Sequence, residues 1–177
     1  SVLRNNLGII SSLNDSVLDL ELSTTSDALP SGKNFASVLN AVSISANKAG
    51  VLLGDYEFQV GDLSTTTAPA KGFPNLQLSI LVNGNTLATA RFINELYKSL
   101  PISEVSSIEV NGNRATLNTL FYYKPFPQKS ADESIPLSSR SKNDTDILNE
   151  ISSWSKPEAL EEVQPILTSP SPSPSAP

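Results

Sequence analysis

The sequence predicts an α+β fold in which one unit, an amphipathic helix followed by two strands, occurs twice. Residues 34 to 83 carry the first copy and residues 86 to 124 the second. In each half the apolar spacing changes from helical to alternating after the helix, and an Asn-Gly pair marks a turn: Asn83-Gly84 between the halves and Asn111-Gly112 inside the second.

The chain opens with a heptad trace. Leu3, Ile10 and Val17 fall seven apart, and Leu13 and Leu20 share the complementary seam with Asn6. This spacing places them along one stripe of a helix over residues 1 to 25, the C-terminal part of a coiled-coil stalk in which Asn6 sets the register. The plainer reading is an amphipathic helix packed on its own domain, because three heptads containing Gly8 are marginal without tertiary partners. Residues 26 to 33, continuing the capping residues of Ser23-Thr24-Thr25, contain Pro30-Ser31-Gly32 and read as a linker.

The domain proper is expected over residues 34 to 127. Phe35, Val38, Leu39, Val42, Ala46 and Ala49 follow the spacing of one helix face over residues 34 to 49, and Gly50 stands where a left-handed stop belongs. Residues 51 to 60 then alternate, with Tyr56, Phe58 and Val60 on one face and Glu57 and Gln59 on the other. Residues 61 to 74 are too polar and Pro-broken for regular structure. A second strand follows at 75 to 83, where Leu76, Leu78, Ile80 and Val82 alternate with polar residues while Leu81 interrupts the polar face.

In the second half, Asn85 or Thr86 caps a helix that Pro101 stops, with Ala90, Ile93, Leu96, Tyr97 and Leu100 as its apolar positions and Phe92 and Leu87 flanking. A strand over residues 103 to 110 places Ile108 and Val110 together. Asn111-Gly112 is the favoured centre of a type I′ hairpin, so the last strand returns antiparallel from Asn113 through Ala115, Leu117, Thr119, Phe121 and Tyr123. Such a duplicated unit of about 100 residues commonly forms a four-stranded antiparallel sheet with both helices on one face, the ferredoxin-like plait. Its other face and its edges are then left to solvent or a partner, with Leu81, Leu120, Tyr122 and Tyr97 as apolar anchors.

Residues 128 to 177 are of another kind. They hold seven of the 13 prolines, carry eight acids against Lys129, Arg140, Lys142 and Lys156, and end in a Ser-Pro alternation. The sequence predicts a mostly disordered acidic tail, with a short helix at 145 to 154 where Ile147, Leu148, Ile151 and Trp154 share a face.

Composition narrows the chemistry. The 177 residues contain no Cys, His or Met, which removes thiol nucleophiles, imidazole bases and the commonest transition-metal ligands; no cofactor or metal site is expected. The carboxylates Asp55, Glu57, Asp62, Glu104 and Glu109 fall on polar faces or loops, not in the unlike, partly desolvated environments that acid-base catalysis needs. Formal charge is −6 with scattered cations, which argues against nucleic acid as a partner. No run of about 18 apolar residues is present to span a bilayer. Without a starting Met, the chain reads as part of something longer, with room upstream for a membrane anchor.

Several stretches together resemble a known family. They are the heptad helix, Leu29-Pro30, Lys48-Ala49-Gly50-Val51, Phe92-Ile93-Asn94-Glu95-Leu96, Leu100-Pro101-Ile102, Ile108-Glu109-Val110 and Leu120-Phe121-Tyr122-Tyr123-Lys124-Pro125. Over residues 1 to 126 the chain is similar to PilO, the inner-membrane alignment protein of type IV pili. The resemblance implies a single-pass protein of the inner or cytoplasmic membrane, with an upstream helix and this domain on the periplasmic side. It also implies a non-enzymatic scaffold that forms a homodimer, pairs with a PilN-like partner and joins other pilus inner-membrane components; a type II secretion homologue is the near variant. The interface residues that follow are Leu3, Ile10, Leu13, Val17, Leu20, Leu81, Tyr97, Leu120 and Tyr122. The long Ser/Pro tail departs from the family pattern. The rival reading is a regulatory domain of the same fold that senses a small molecule between its helices or at a dimer interface.

Overall fold

The computed structural model describes residues 2–11, 14–59, 73–126, 135–138 and 140–156. In chain order these form α1 (Val2–Ser11), α2 (Asp15–Ala28), α3 (Phe35–Ala49), β1 (Leu52–Gln59), β2 (Asn75–Asn83), α4 (Thr86–Leu96), β3 (Ser103–Asn111), β4 (Arg114–Tyr122) and α5 (Lys142–Ser152). The strands make one antiparallel sheet in the order β1-β2-β4-β3. The fold is α+β, with the order helix, strand, strand occurring twice. The second strand of each half is central and the first strand of each half lies at an edge.

Local chemistry explains where the elements of the two halves begin. The Asn34 side chain accepts from the Ser37 N–H at 3.0 Å to start α3, and the Asn85 side chain accepts from the Ala88 N–H at 2.8 Å to start α4. Gly50 ends α3 in the left-handed region at φ 71°. Gly112, at φ 61°, turns the β3–β4 hairpin at the expected Asn-Gly pair.

The core lies between α3, α4 and one face of the sheet. Leu76, Leu78, Ile80 and Val82 of β2 stand directly opposite Phe121, Thr119, Leu117 and Ala115 of β4, and all eight are buried. Val38, Val42 and Ala46 from α3 close over them together with Phe92 and Leu96 from α4. Phe92, Leu78, Leu96 and Leu117 are fully buried, each contributing about 1.5–3 kcal/mol relative to exposure.

Both edge strands carry one extra residue: the register shifts between Leu53 and Tyr56 in β1 and between Val105 and Ser107 in β3. Bulges of this kind twist an edge and interrupt the ladder it offers to another strand. Tyr56 and Phe58 share the helix side as expected, opposite Ile80 and Leu78. Val60 lies outside the described residues. On the other face, Leu81 leans over Gly54, where an added Cβ would stand 2.9 Å from Leu81 Cδ2. A side chain at this position would require the Leu81 side chain to shift; no special backbone angle calls for the glycine.

Three expectations are corrected. Residues 1 to 25 are not one helix: α1 ends at Ser11, and the Asn14 side chain accepts from the Ser16 and Val17 N–H groups to start α2, which runs to Ala28, into the expected linker. The linker is also tied down, since the Ala28 carbonyl accepts from the Ile102 N–H at 3.0 Å and the Pro30 carbonyl from the Lys124 N–H at 2.8 Å. Second, α4 turns Thr89, Phe92 and Leu96 inward, leaves Ala90 and Tyr97 exposed, and stops at Leu96, short of Pro101.

The third correction concerns the tail. Residues 128 to 177 are expected to be mostly disordered with a short helix at 145 to 154; that helix is present as α5, and the described residues just before and after it, 135–138 and 153–156, are also tied to the domain. The helix α5 begins at a Ser141/Asp144 capping box, earlier than the expected start at residue 145. Before it, the Asn6 carboxamide grips the chain in both directions, donating to the Ile135 carbonyl at 3.1 Å and accepting from the Leu137 N–H at 2.9 Å. Arg140 pairs with Glu21 on α2. After it, Ser155 forms a one-residue parallel bridge to Ser99, accepting from the Leu100 N–H at 2.9 Å and donating to the Lys98 carbonyl at 2.9 Å. Residues 128 to 134 and 157 to 177 lie outside the described residues.

Candidate interaction surfaces

The expected interface residues fall in three places. Leu3 and Ile10 on α1 and Val17 and Leu20 on α2 are 49 to 62% exposed, so the domain's own core leaves this part of the heptad pattern uncovered. Leu13 lies outside the described residues. Tyr97 caps α4 and is exposed, apart from the others. Asn6, expected to set a coiled-coil register, is buried and holds residues 135 to 137 instead.

Leu81, Leu120 and Tyr122 do share the sheet face opposite the helices, but a polar band divides them. Ser79 opposite Asn118 separates Leu81 from Leu120, and the Asn118 side chain donates to Ser107 Oγ at 2.8 Å. Leu120 and Tyr122, two residues apart on β4, belong to the end of the sheet where the chain leaves toward Lys124. There the Tyr122 hydroxyl donates to the Glu104 carboxylate at 2.5 Å, which, with some burial and the carboxylate's charge, holds the phenol above its ordinary pKa. Phe73 stands edge-on to Tyr122 with ring centroids 6.5 Å apart.

Two adjoining clefts open at this end. One, of about 330 Å³, is walled by Leu29, Phe73, Pro74, Ile102, Tyr122 and Tyr123. The other, of about 410 Å³, shares Leu29 and Lys124 with it and is closed by Leu22, Pro30, Pro125 and Phe126. Backbone bonds tie the walls together: the Tyr123 N–H donates to the Pro74 carbonyl at 3.1 Å in the first cleft, and the Lys124 N–H to the Pro30 carbonyl in the second. Sequence reasoning passed over Phe73, Phe126, Leu29 and Ile102. The signal available was two aromatics beside prolines, Phe73-Pro74 and Pro125-Phe126, flanking segments otherwise read as loop and chain end.

The carboxylates stay apart. Asp55 and Glu57 lie on β1 and Glu104 and Glu109 on β3, at opposite edges of the sheet, about 14 Å apart at three strand spacings. Asp62 lies outside the described residues. Among the described residues no group of three or more acidic side chains could hold a metal ion. One nucleophile stands beside an amine: Lys48 Nζ donates to Ser155 Oγ at 2.5 Å. Lys48 is half exposed and also faces Glu95 at 3.9 Å, so the pair lacks the desolvated setting of Ser-Lys catalysis and serves to hold Ser155 in place.

Fold and surface together define a small two-layer α+β domain with exposed apolar helices at its N-terminal end and aromatic clefts at one end of its sheet. The chain matches no protein-family model, and no curated protein is detectably similar to it. No helix among the described residues is long and apolar enough to cross a membrane.

Proposed function

We propose that this domain is a non-enzymatic scaffold of the PilO type, working in a type IV pilus or related type II secretion complex at the inner membrane. Its fold is read as the ferredoxin-like plait with the first strand of a β-α-β-β-α-β chain moved to the end, which yields the α-β-β-α-β-β order. The domain would lie on the periplasmic side, tethered by an upstream membrane helix, and would pair with itself and with a PilN-like partner.

The observation that carries the reading is the exposure of Leu3, Ile10, Val17 and Leu20 on α1 and α2, beside a core that is complete without them. Apolar side chains repeated at this spacing favour helix pairing, and pairing next to a membrane anchor raises the effective concentration of any second contact. The break at Asn14 means that α1 and α2 act as two separate pairing segments.

Coexpression with a PilN-like protein, followed by affinity capture and sedimentation, tests the proposal. A stable complex that Val17→Asp together with Leu20→Asp abolishes supports it. A monodisperse monomer that captures no such partner, encoded downstream of a cytosolic catalytic domain, contradicts it. The second reading, a small-molecule sensor, draws on the apolar cleft at Leu29, Phe73 and Tyr122, whose volume is at the low end for ligand pockets. That cleft lies at the strand ends and not between the helices.

A further inference from the structure

We propose that the Pro-rich segment of residues 165 to 177 docks, in polyproline II form, in the aromatic clefts at the end of the sheet of its own chain. This goes beyond the scaffold reading and does not depend on it.

The clefts have the character that such segments need. Polyproline II helices expose their backbone and present flat pyrrolidine faces, and the grooves that take them are lined by aromatic and proline rings. Here Phe73 and Tyr122 meet edge to face, and Pro74, Tyr123, Pro125 and Phe126 extend the same surface. Phe73 and Phe126 are 81% and 71% exposed, a large apolar area to leave in water.

The occupant is indicated by where the described chain stops. Lys156 Nζ lies 3.9 Å from Asp27 on the last turn of α2. The neighbouring residues Thr25, Ser26 and Leu29 form a wall of the larger cleft. Lys156 therefore stands beside the site, and 21 residues follow it in the sequence. As polyproline II they would span roughly 65 Å, about twice the diameter of a small domain, so reach is ample. Pro170, Pro172, Pro174 and Pro177 supply the rings, and Pro174 and Pro177, three apart, fall on one edge of the helix. Glu158, Glu161 and Glu162, with no cation between 157 and 177, complement Lys124, which both clefts share. Tethering raises the local concentration of the segment to about the millimolar range, so even a weak fit is occupied.

The absence of Cys allows a clean test on the full chain: a nitroxide on Ser175→Cys, read by paramagnetic broadening of backbone amides. Docking predicts that Leu29, Ile102, Tyr123 and Lys124 lose most of their signal relative to the reduced label, while Gly84 and Gly112 at the far end of the sheet keep theirs. Adding Pro170→Gly, Pro172→Gly and Pro174→Gly to the labelled chain should restore the groove signals. Uniform or absent broadening overturns the proposal. Broadening that survives the three glycines overturns the polyproline fit. Broadening that appears equally when spin-labelled chain is mixed with isotope-labelled chain overturns docking in cis in favour of a second copy.

Discussion

Replacing Asn6 with Ala removes a side chain that holds two backbone groups 129 and 131 residues away, the Ile135 carbonyl and the Leu137 N–H. Each such bond contributes about 0.5–1.5 kcal/mol net, so the loss is about 1–3 kcal/mol, roughly a 5- to 150-fold rise in opening of the segment. The effect should spread. With 11 residues, α5 is shorter than the roughly 12–15 that an isolated helix needs in water, so undocking melts it. Native-state hydrogen exchange checks this: the Leu137 amide and the inner amides of α5 should exchange faster by the same factor, while Leu78 and Leu117 in the central strands stay unchanged. Faster exchange at Leu137 alone, or none, would refute the reasoning that the carboxamide holds residues 135 to 152 as a unit.

Phe92→Ala, at a fully buried site between α4 and the sheet, should cost about 3–5 kcal/mol in urea unfolding. Gly54→Val should also destabilise, since its Cβ would stand 2.9 Å from Leu81 Cδ2; adding Leu81→Ala should recover part of the loss. Asp144 is held below its ordinary pKa by hydrogen bonds from the Ser141 side chain and backbone. Its contribution is present above the unfolded value of about 3.9 and is lost as pH falls through the lower folded value, so acid titration should loosen the start of α5, and Asp144→Asn should flatten that response. Tyr122 has the opposite sign: its phenol is raised, so what its bond to Glu104 contributes is full below about pH 10 and disappears as pH rises through the folded value, readable by tyrosinate absorbance against Glu104→Gln.

What the sequence showed most clearly was local. The Asn85 cap, the Gly50 stop and the Asn111-Gly112 hairpin act over a few residues, and the apolar alternation of β2 states its own burial. The edge bulges were less visible, because one extra residue near Gly54 or Ser106 leaves the surrounding alternation almost intact. The end of α4 was misjudged for a longer-range reason. Pro101 permits a helix to Leu100, but the backbone of Lys98 and Leu100 is taken by Ser155, more than 50 residues away. The same holds for Asn6, whose heptad position suggested a partner helix while its carboxamide serves the C-terminal segment. The clefts join residues from four separate stretches, and no periodicity links Leu29 or Ile102 to Phe73.

The central claim, that α1 and α2 are pairing surfaces of a scaffold, is tested most directly by sedimentation equilibrium of the chain against the Val17→Asp, Leu20→Asp variant. Both side chains are exposed, so circular dichroism should be unchanged. The account predicts a self-association that rises with concentration in the parent chain and falls at least about tenfold in the variant, the equivalent of about 1.4 kcal/mol. Equal association constants, or a parent chain that stays monomeric throughout, would contradict it.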